Sequence, residues 1–131
     1  MIRILSIDNC QGLPQIDELI HDCFFDLEKV TYDSALHTLT IPFRGSALEH
    51  KGAFVTHALG SGPEYLLVIS NVVSVDMRDD AHVRYYDFNR LELSNNGSEI
   101  FVLTGVPLLL KVAISDLKAE ILRTERMIEY R

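Results

Sequence analysis

The run His21-Asp22-Cys23 brings together the three side-chain types that build a thiol active site or a metal cage. A thiolate beside a histidine is a nucleophile, and imidazole, carboxylate and thiolate are all zinc ligands. Three consecutive side chains cannot converge on one atom, however, because they spread about 100° apart on a helix and alternate faces on a strand. The run therefore favours a buried cysteine beside a surface His-Asp pair that bonds locally.

The residues before this run have the pattern of a short helix. Pro14 suits a first helical turn, where its missing N–H costs nothing. Ile16, Leu19, Ile20 and Cys23 follow the i, i+3, i+4, i+7 spacing of one buried stripe. The spacing predicts an N-terminal helix that places Cys23 towards the core.

The remaining histidines and cysteines match no metal template. There is no His-x-His pair, and His50 and His57 are seven positions apart with Glu49 adjacent to the first. Cys10 and Cys23 are too few for a disulfide framework and lack a second pair for structural zinc. We expect free thiols, no metal and no cofactor.

The segment "MRDDAHVRYY" (77–86) is the most unusual in local composition. It collects charged and aromatic residues between two apolar runs, namely Arg78, Asp79, Asp80, His82, Arg84, Tyr85 and Tyr86. Arginine and tyrosine are common interface anchors, and Asp80 with His82 could transfer a proton. The alternative is a solvated turn whose opposite charges pair loosely. If the protein has a binding site, we expect it here, together with the glycine-rich insert at 44–63.

Composition limits the partners. Nineteen acidic and twelve basic residues give a formal charge of −7, which disfavours nucleic acid because such binding depends on lysine and arginine. A basic protein partner stays possible, since complementary charge speeds encounter. No apolar run reaches the roughly 20 residues that span a bilayer, and the N-terminus lacks the features of a secretory signal. We expect a cytoplasmic protein with no membrane association.

Strand patterns dominate from residue 24 onward. "HTLTIPF" alternates apolar and polar residues, and "EYLLVISNVVSVDM" (64–77) reads as a central strand with a bend at Ser70-Asn71. Asn96-Gly97 between two strand-like runs is a strong hairpin signal. The alternation of apolar and polar residues shifts by one position between Phe88 and Leu91, which predicts a β-bulge. The chain is expected to be one α+β, β-rich domain over 1–131, with a mostly antiparallel sheet curled into an open barrel or a sandwich.

The C-terminal segment "SDLKAEILRTERMIEYR" (115–131) predicts a helix. Leu117, Ile121 and Ile128 lie near one helical face, although Thr124 interrupts it. The alternation of Leu117, Ala119 and Ile121 also fits a continuing strand, which is the alternative. Either this helix or a second subunit would cover the outward apolar residues of "LLLKVAI", so the chain is expected to be a monomer or a homodimer.

Three pieces of the sequence together resemble small bacterial β-rich domains. They are His21-Asp22 before a run ending in "YD" (32–33), the strand "HTLTIPF", and "LLVISNVVSVDMRDD" followed by "YYDFNRLEL". Some members of such families resemble immunity proteins that neutralise the toxins of competing bacteria. The resemblance covers roughly residues 20–115 and implies a β-rich fold and a protein partner, with no catalytic residue.

Two function classes follow. The first is a non-enzymatic binding domain that recognises another macromolecule, with a basic protein favoured. The second is a small-molecule-binding or enzymatic β-barrel with a pocket near residues 78–86.

Overall fold

The computed structural model describes residues 1–45 and 58–131, which form one short α-helix, two 3-10 helices (Cys10–Gly12 and Leu27–Lys29) and nine strands. The elements in chain order are β1 (Ile2–Ile7), α1 (Leu13–Ile20), β2 (Phe24–Asp26), β3 (Thr31–Asp33), β4 (Thr38–Arg44), β5 (Gly60–Arg78), β6 (Tyr85–Asp87), β7 (Arg90–Leu93), β8 (Glu99–Leu103) and β9 (Leu109–Tyr130). The β-rich architecture and the N-terminal helix are as the sequence predicts.

The long antiparallel pair of β5 and β9, which are not consecutive in the chain, forms the centre of the sheet. Its register runs from Gly60 opposite Tyr130 to Arg78 opposite Leu109. The predicted C-terminal helix is therefore wrong, and the alternative of a continuing strand is correct. Pairing decides this outcome, because β5 lies along one side of β9 while β1 and β8 pair with parts of the other.

The buried residues of β9 follow the alternation of a strand and not the spacing of a helix. Leu117, Ala119 and Ile121 are all buried, as alternation requires. The apparent helical stripe through Leu117, Ile121 and Ile128 is a coincidence of spacing, since the buried set does not follow a helical period.

The sheet is antiparallel and curls into an open half-barrel, which favours the barrel over the sandwich. Its strand order is β6-β2-β4-β5-β9-β8-β7, with β1 added to β9 and β3 to β4. Its two end strands, β6 and β7, are separated in the chain by Phe88 and Asn89 alone. The sequence predicts a β-bulge between Phe88 and Leu91. The chain instead crosses there from one end strand of the sheet, β6, to the other, β7.

Local turn chemistry is as expected at two places. Asn71 has φ +58° where the β5–β9 register shifts, which is the predicted bend. Gly97 has φ +73° between β7 and β8, a left-handed conformation that glycine adopts without strain. Asn71 marks the bend within β5, and Gly97 reverses the chain from β7 into β8.

One face of the sheet, covered in part by α1, carries the hydrophobic core. Phe25 packs against Phe88 at 4.7 Å between ring centroids, and Phe43 meets Phe88 edge-on at 5.5 Å. Ile16 and Ile20 of α1 are completely buried. Because neighbours on a strand face opposite ways, the residues next to Phe25 and Phe43 point to the other face of the sheet.

Candidate functional site

That other face carries the buried charges. Four polar or charged side chains are buried among the described residues, namely Asp26, Arg44, Glu64 and Thr124. Asp26 and Arg44 follow the core residues Phe25 and Phe43 directly, and Arg44 pairs with Glu64 across the strands. Alternation thus directs these side chains away from the core towards one end of the half-barrel.

A cavity of about 410 Å³ opens at this end, and we call it the charged pocket. Its ionisable lining residues are Asp26, Lys29, Glu64, Arg84, Arg126, Glu129 and Tyr130. Pro42, Met127 and Ile128 supply an apolar wall. Most small-molecule sites are lined mainly by apolar side chains, whereas ionisable side chains form most of this lining.

Asp26 and Arg84 form the first ion pair of the pocket. Nε of Arg84 donates to Oδ1 and Oδ2 of Asp26 at 3.1 and 3.2 Å, and Nη2 donates to Oδ2 at 2.9 Å. Asp26 is 3% exposed, whereas the Arg84 side chain is 47% exposed. The hydrogen bonds to Asp26 raise the pKa of Arg84 above its ordinary value. Nε of Arg84 also lies 2.7 Å from Oε2 of the exposed Glu28, so two carboxylates hold this arginine at the pocket.

Glu64 and Arg126 form the second ion pair. Nε and Nη2 of Arg126 donate to Oε1 of Glu64 at 3.1 and 2.9 Å. Glu64 is 5% exposed and the Arg126 side chain is 73% exposed. Thr124 supports the pair, because its hydroxyl donates to the Glu64 carbonyl and accepts from the Arg126 backbone N–H. Again a buried carboxylate positions an accessible arginine.

Arg44 and Tyr130 close the bottom of this end. Nη1 of Arg44 donates to the carbonyls of Ala58 and Gly60 at 3.0 and 3.1 Å, and its guanidinium lies 5.4 Å from the Tyr130 ring centroid. The Tyr130 hydroxyl donates to the Phe24 carbonyl at 3.3 Å. Burial lowers the pKa of Arg44 and raises the pKa of Tyr130. These groups support the structure at this end of the sheet.

Three cationic donors in the pocket have unused hydrogens. Nη1 of Arg84 and Nη1 of Arg126 make no hydrogen bond to a described residue, and neither does Nζ of Lys29. None of these nitrogens is buried, because every buried side-chain nitrogen or oxygen in the described ranges has a partner. The pocket therefore offers donors to a ligand while its carboxylates are largely occupied.

The predicted site segment 78–86 contributes Arg84 to this pocket and Tyr85 to its edge. The Tyr85 ring stacks on Tyr130 with 4.6 Å between centroids. The Tyr85 hydroxyl donates to the Arg131 carbonyl and accepts from the Arg131 N–H. Arg84 has φ +70°, an uncommon conformation for a side-chain-bearing residue. Tyr85 and Tyr130 thereby link β6 to the end of β9.

Asp79, His82 and Tyr86 form a separate local unit. The hydroxyl of the buried Tyr86 donates to Oδ1 of Asp79, which also accepts from the His82 backbone N–H at 3.0 Å. The bond from Tyr86 lowers the pKa of Asp79, and burial raises the pKa of Tyr86. Nδ1 of His82 is 3.8 Å from Oδ2 of Asp79. The proton-transfer hypothesis required the Asp80 carboxylate beside His82. The carboxylate beside His82 is instead that of Asp79.

Arg78 and Asp80 lie at a second cavity. This cleft, of about 530 Å³, is formed with Leu103, Thr104 and residues 107–109 of the β8–β9 connection. Asp80 is exposed and makes no hydrogen bond or ion pair with a described residue. The seven predicted site residues are therefore divided among a pocket, a local turn unit and a cleft.

The side chains of His21, Asp22 and Cys23 do not converge on one point in the structure. Cys23 is buried, while His21 and Asp22 are exposed. Nδ1 of His21 lies 3.0 Å from the Asn89 carbonyl, and its Nε2 lies 3.5 Å from the Asp22 carboxylate. The local interpretation is confirmed, and these residues join the end of α1 to the crossing between β6 and β7.

Two absences hold within the described ranges. No group of three or more histidine, cysteine, aspartate or glutamate side chains is arranged to hold a metal ion there. No helix in that part of the chain has the length and apolarity needed to cross a membrane. The predicted role of the insert at 44–63 concerns mainly residues 46–57, which lie outside the described residues.

Sequence reasoning missed Asp26, Glu64 and Arg126. A signal existed for the first two, since each is a single acid directly beside apolar residues in "FFDL" and "PEYLL". Acids are almost never fully buried without a partner, so an acid inside a buried strand implies a cation nearby. Which cation pairs with it depends on how the sheet curls.

The fold and site together define an antiparallel β half-barrel with a half-open, ion-paired pocket on the face opposite the core. No protein-family model matches the sequence, and neither a curated protein nor a solved structure is significantly similar to it.

Proposed function

We propose that the protein is a non-enzymatic binding domain that recognises another macromolecule, and that this partner is a basic protein. The observation that carries the proposal is that the buried acids of the charged pocket are already bonded to arginines. Asp26 and Glu64 are both engaged by arginines, and His82 is 80% exposed against Asp79. A general base needs an unoccupied acceptor within reach of a bound substrate. Asp26 and Glu64 are engaged by arginines, and His82 does not line the charged pocket.

The charge of the chain favours a basic partner. The formal charge is −7, and complementary charge accelerates encounter and discourages wrong partners. Asp80 is an exposed carboxylate without a described partner, in the segment whose arginines and tyrosines are typical interface residues. The resemblance to immunity proteins supports the same class of partner.

Affinity capture tests this proposal. Immobilised wild-type protein, Asp80→Asn and a matched control, Glu18→Gln on α1, are each exposed to host lysate at low ionic strength. The expected result is one basic protein retained by wild type and control, weakened in Asp80→Asn and released as ionic strength rises to about 0.5 M. The purified protein must then rebind. Retention of background proteins alone by all three variants would overturn the proposal.

A second candidate function, small-molecule binding, is favoured by the charged pocket itself. Its 410 Å³ volume falls in the usual range for ligand sites. Arg84 comes from the segment predicted to contribute to such a site. This candidate concerns a different surface from Asp80, so the two functions are separable by mutation.

A further inference from the structure

We infer that the charged pocket binds a small organic oxyanion, a carboxylate or a phosphate ester, that carries an apolar body. The inference rests on the second candidate function, and it names the class of ligand. It follows from three features of the pocket: the unused donors, the occupied carboxylates and the apolar wall.

The donors are preorganised. Each arginine is held on one edge by a buried carboxylate, Arg84 by Asp26 and Arg126 by Glu64. This leaves Nη1 of each guanidinium without a described acceptor. Arginine presents its N–H groups in a rigid fork that suits carboxylate and phosphate oxygens. Because the protein has already fixed these side chains, a ligand loses less affinity to their ordering.

Lys29 adds a third cationic donor to the pocket. Its side chain is exposed, and its ammonium forms no ion pair with a described residue. A lysine ammonium is a mobile point charge that can adjust to the position of an oxyanion. Lys29 also contributes nothing to the two buried ion pairs, so its removal tests ligand binding without disturbing them.

The carboxylates are poorly placed to select a cation instead. Both oxygens of Asp26 accept from Arg84, and Oδ1 also accepts from the Glu28 N–H. Oε1 of Glu64 accepts twice from Arg126. The third carboxylate of the lining, Glu129, accepts from Nη2 of Arg131 at 3.2 Å. A ligand cation would therefore have to compete with an arginine at each of the three carboxylates.

The apolar wall selects for the apolar body of the ligand. Pro42, Met127 and Ile128 line the pocket beside Tyr130. Burying apolar ligand area against them removes that area from water and so favours binding. An inorganic anion would gain nothing from this wall, so an oxyanion attached to a ring or short chain is the better fit.

Isothermal titration calorimetry with four probes tests the inference on the whole chain. The probes are benzoate, phenyl phosphate, inorganic phosphate and benzylammonium. We expect saturable binding of benzoate or phenyl phosphate at one site, and the tighter of the two identifies the head group. Inorganic phosphate should bind at least about tenfold more weakly, because it lacks the apolar body.

The variants make the result specific to this pocket. Lys29→Gln should weaken binding at least about threefold, while Lys118→Gln, an exposed lysine on β9, should not change it. Asp80→Asn should bind the oxyanion normally even if it loses the protein partner. No saturable binding of either aromatic oxyanion would overturn the inference. So would tighter binding of benzylammonium, equal binding of inorganic phosphate, or equal losses in the two lysine variants.

Discussion

Arg84 and Asp26 are 58 residues apart in the chain and are joined by three hydrogen bonds of 2.9 to 3.2 Å. The pair connects the start of β6 to the end of β2 on the side of the sheet opposite the core. The Glu64–Arg126 pair spans 62 residues and connects β5 to β9. Two long-range ion pairs thus fix the strands that form the charged pocket.

The first prediction concerns Asp26. Asp26→Asn keeps the size of the side chain but removes the buried one of the two charges that hold Arg84. We expect the free energy of unfolding to fall by about 2 kcal/mol, as for a lost charge-assisted hydrogen bond. Urea denaturation measures this loss. Asp80→Asn makes the same change at an exposed residue without described partners, and it should cost less than about 0.5 kcal/mol. Equal losses in the two variants would contradict a special role for Asp26.

The second prediction concerns Tyr130 at high pH. Burial raises the pKa of Tyr130 in the folded protein, so its contribution to stability is complete below the ordinary tyrosine value of about 10. That contribution is lost as pH rises from there through the raised folded value. Thermal unfolding followed from neutral to alkaline pH should show a smaller loss in Tyr130→Phe than in wild type. At neutral pH the variant should be about 1 kcal/mol less stable, because the bond to the Phe24 carbonyl is gone. Identical alkaline profiles would contradict this explanation.

The third prediction concerns Asp79 at low pH. The hydrogen bond from Tyr86 lowers the pKa of Asp79. The resulting stability is present above the ordinary aspartate value of about 3.9 and is lost as pH falls through the lowered one. Tyr86→Phe should therefore be less stable than wild type at neutral pH, with a difference that narrows below about pH 4. Melting temperatures across this range measure the difference, and a constant gap would refute the link.

Local patterns predicted much of the fold because they report on single elements. The helix stripe through Ile16 and Ile20, the bend at Asn71 and the turn at Gly97 each depend on neighbouring residues. The segment that became β9 was predicted wrongly because its spacing fits both a helix and a strand. Pairing with the distant β5 decided between them, and such tertiary pairing overrides local propensity.

The site was less predictable, because its ion pairs join residues that are distant in the chain. Composition drew attention to Arg84, but its partner Asp26 and the second pair at Glu64 depend on the curl of the sheet. Alternation next to Phe25 places Asp26 on the face away from the core. It does not say which cations reach that face, so sequence reasoning identified one residue of the pocket and missed its partners.

The most direct test of the ligand site follows backbone amide chemical shifts of isotope-labelled protein during titration with phenyl phosphate. A ligand held by the charged pocket should shift amides around Lys29, Glu64, Arg84 and Arg126, with the changes saturating together. Amides of the cleft at Asp80 and of α1 should stay in place. Saturating shifts centred on the cleft, or no shifts at all, would contradict the account.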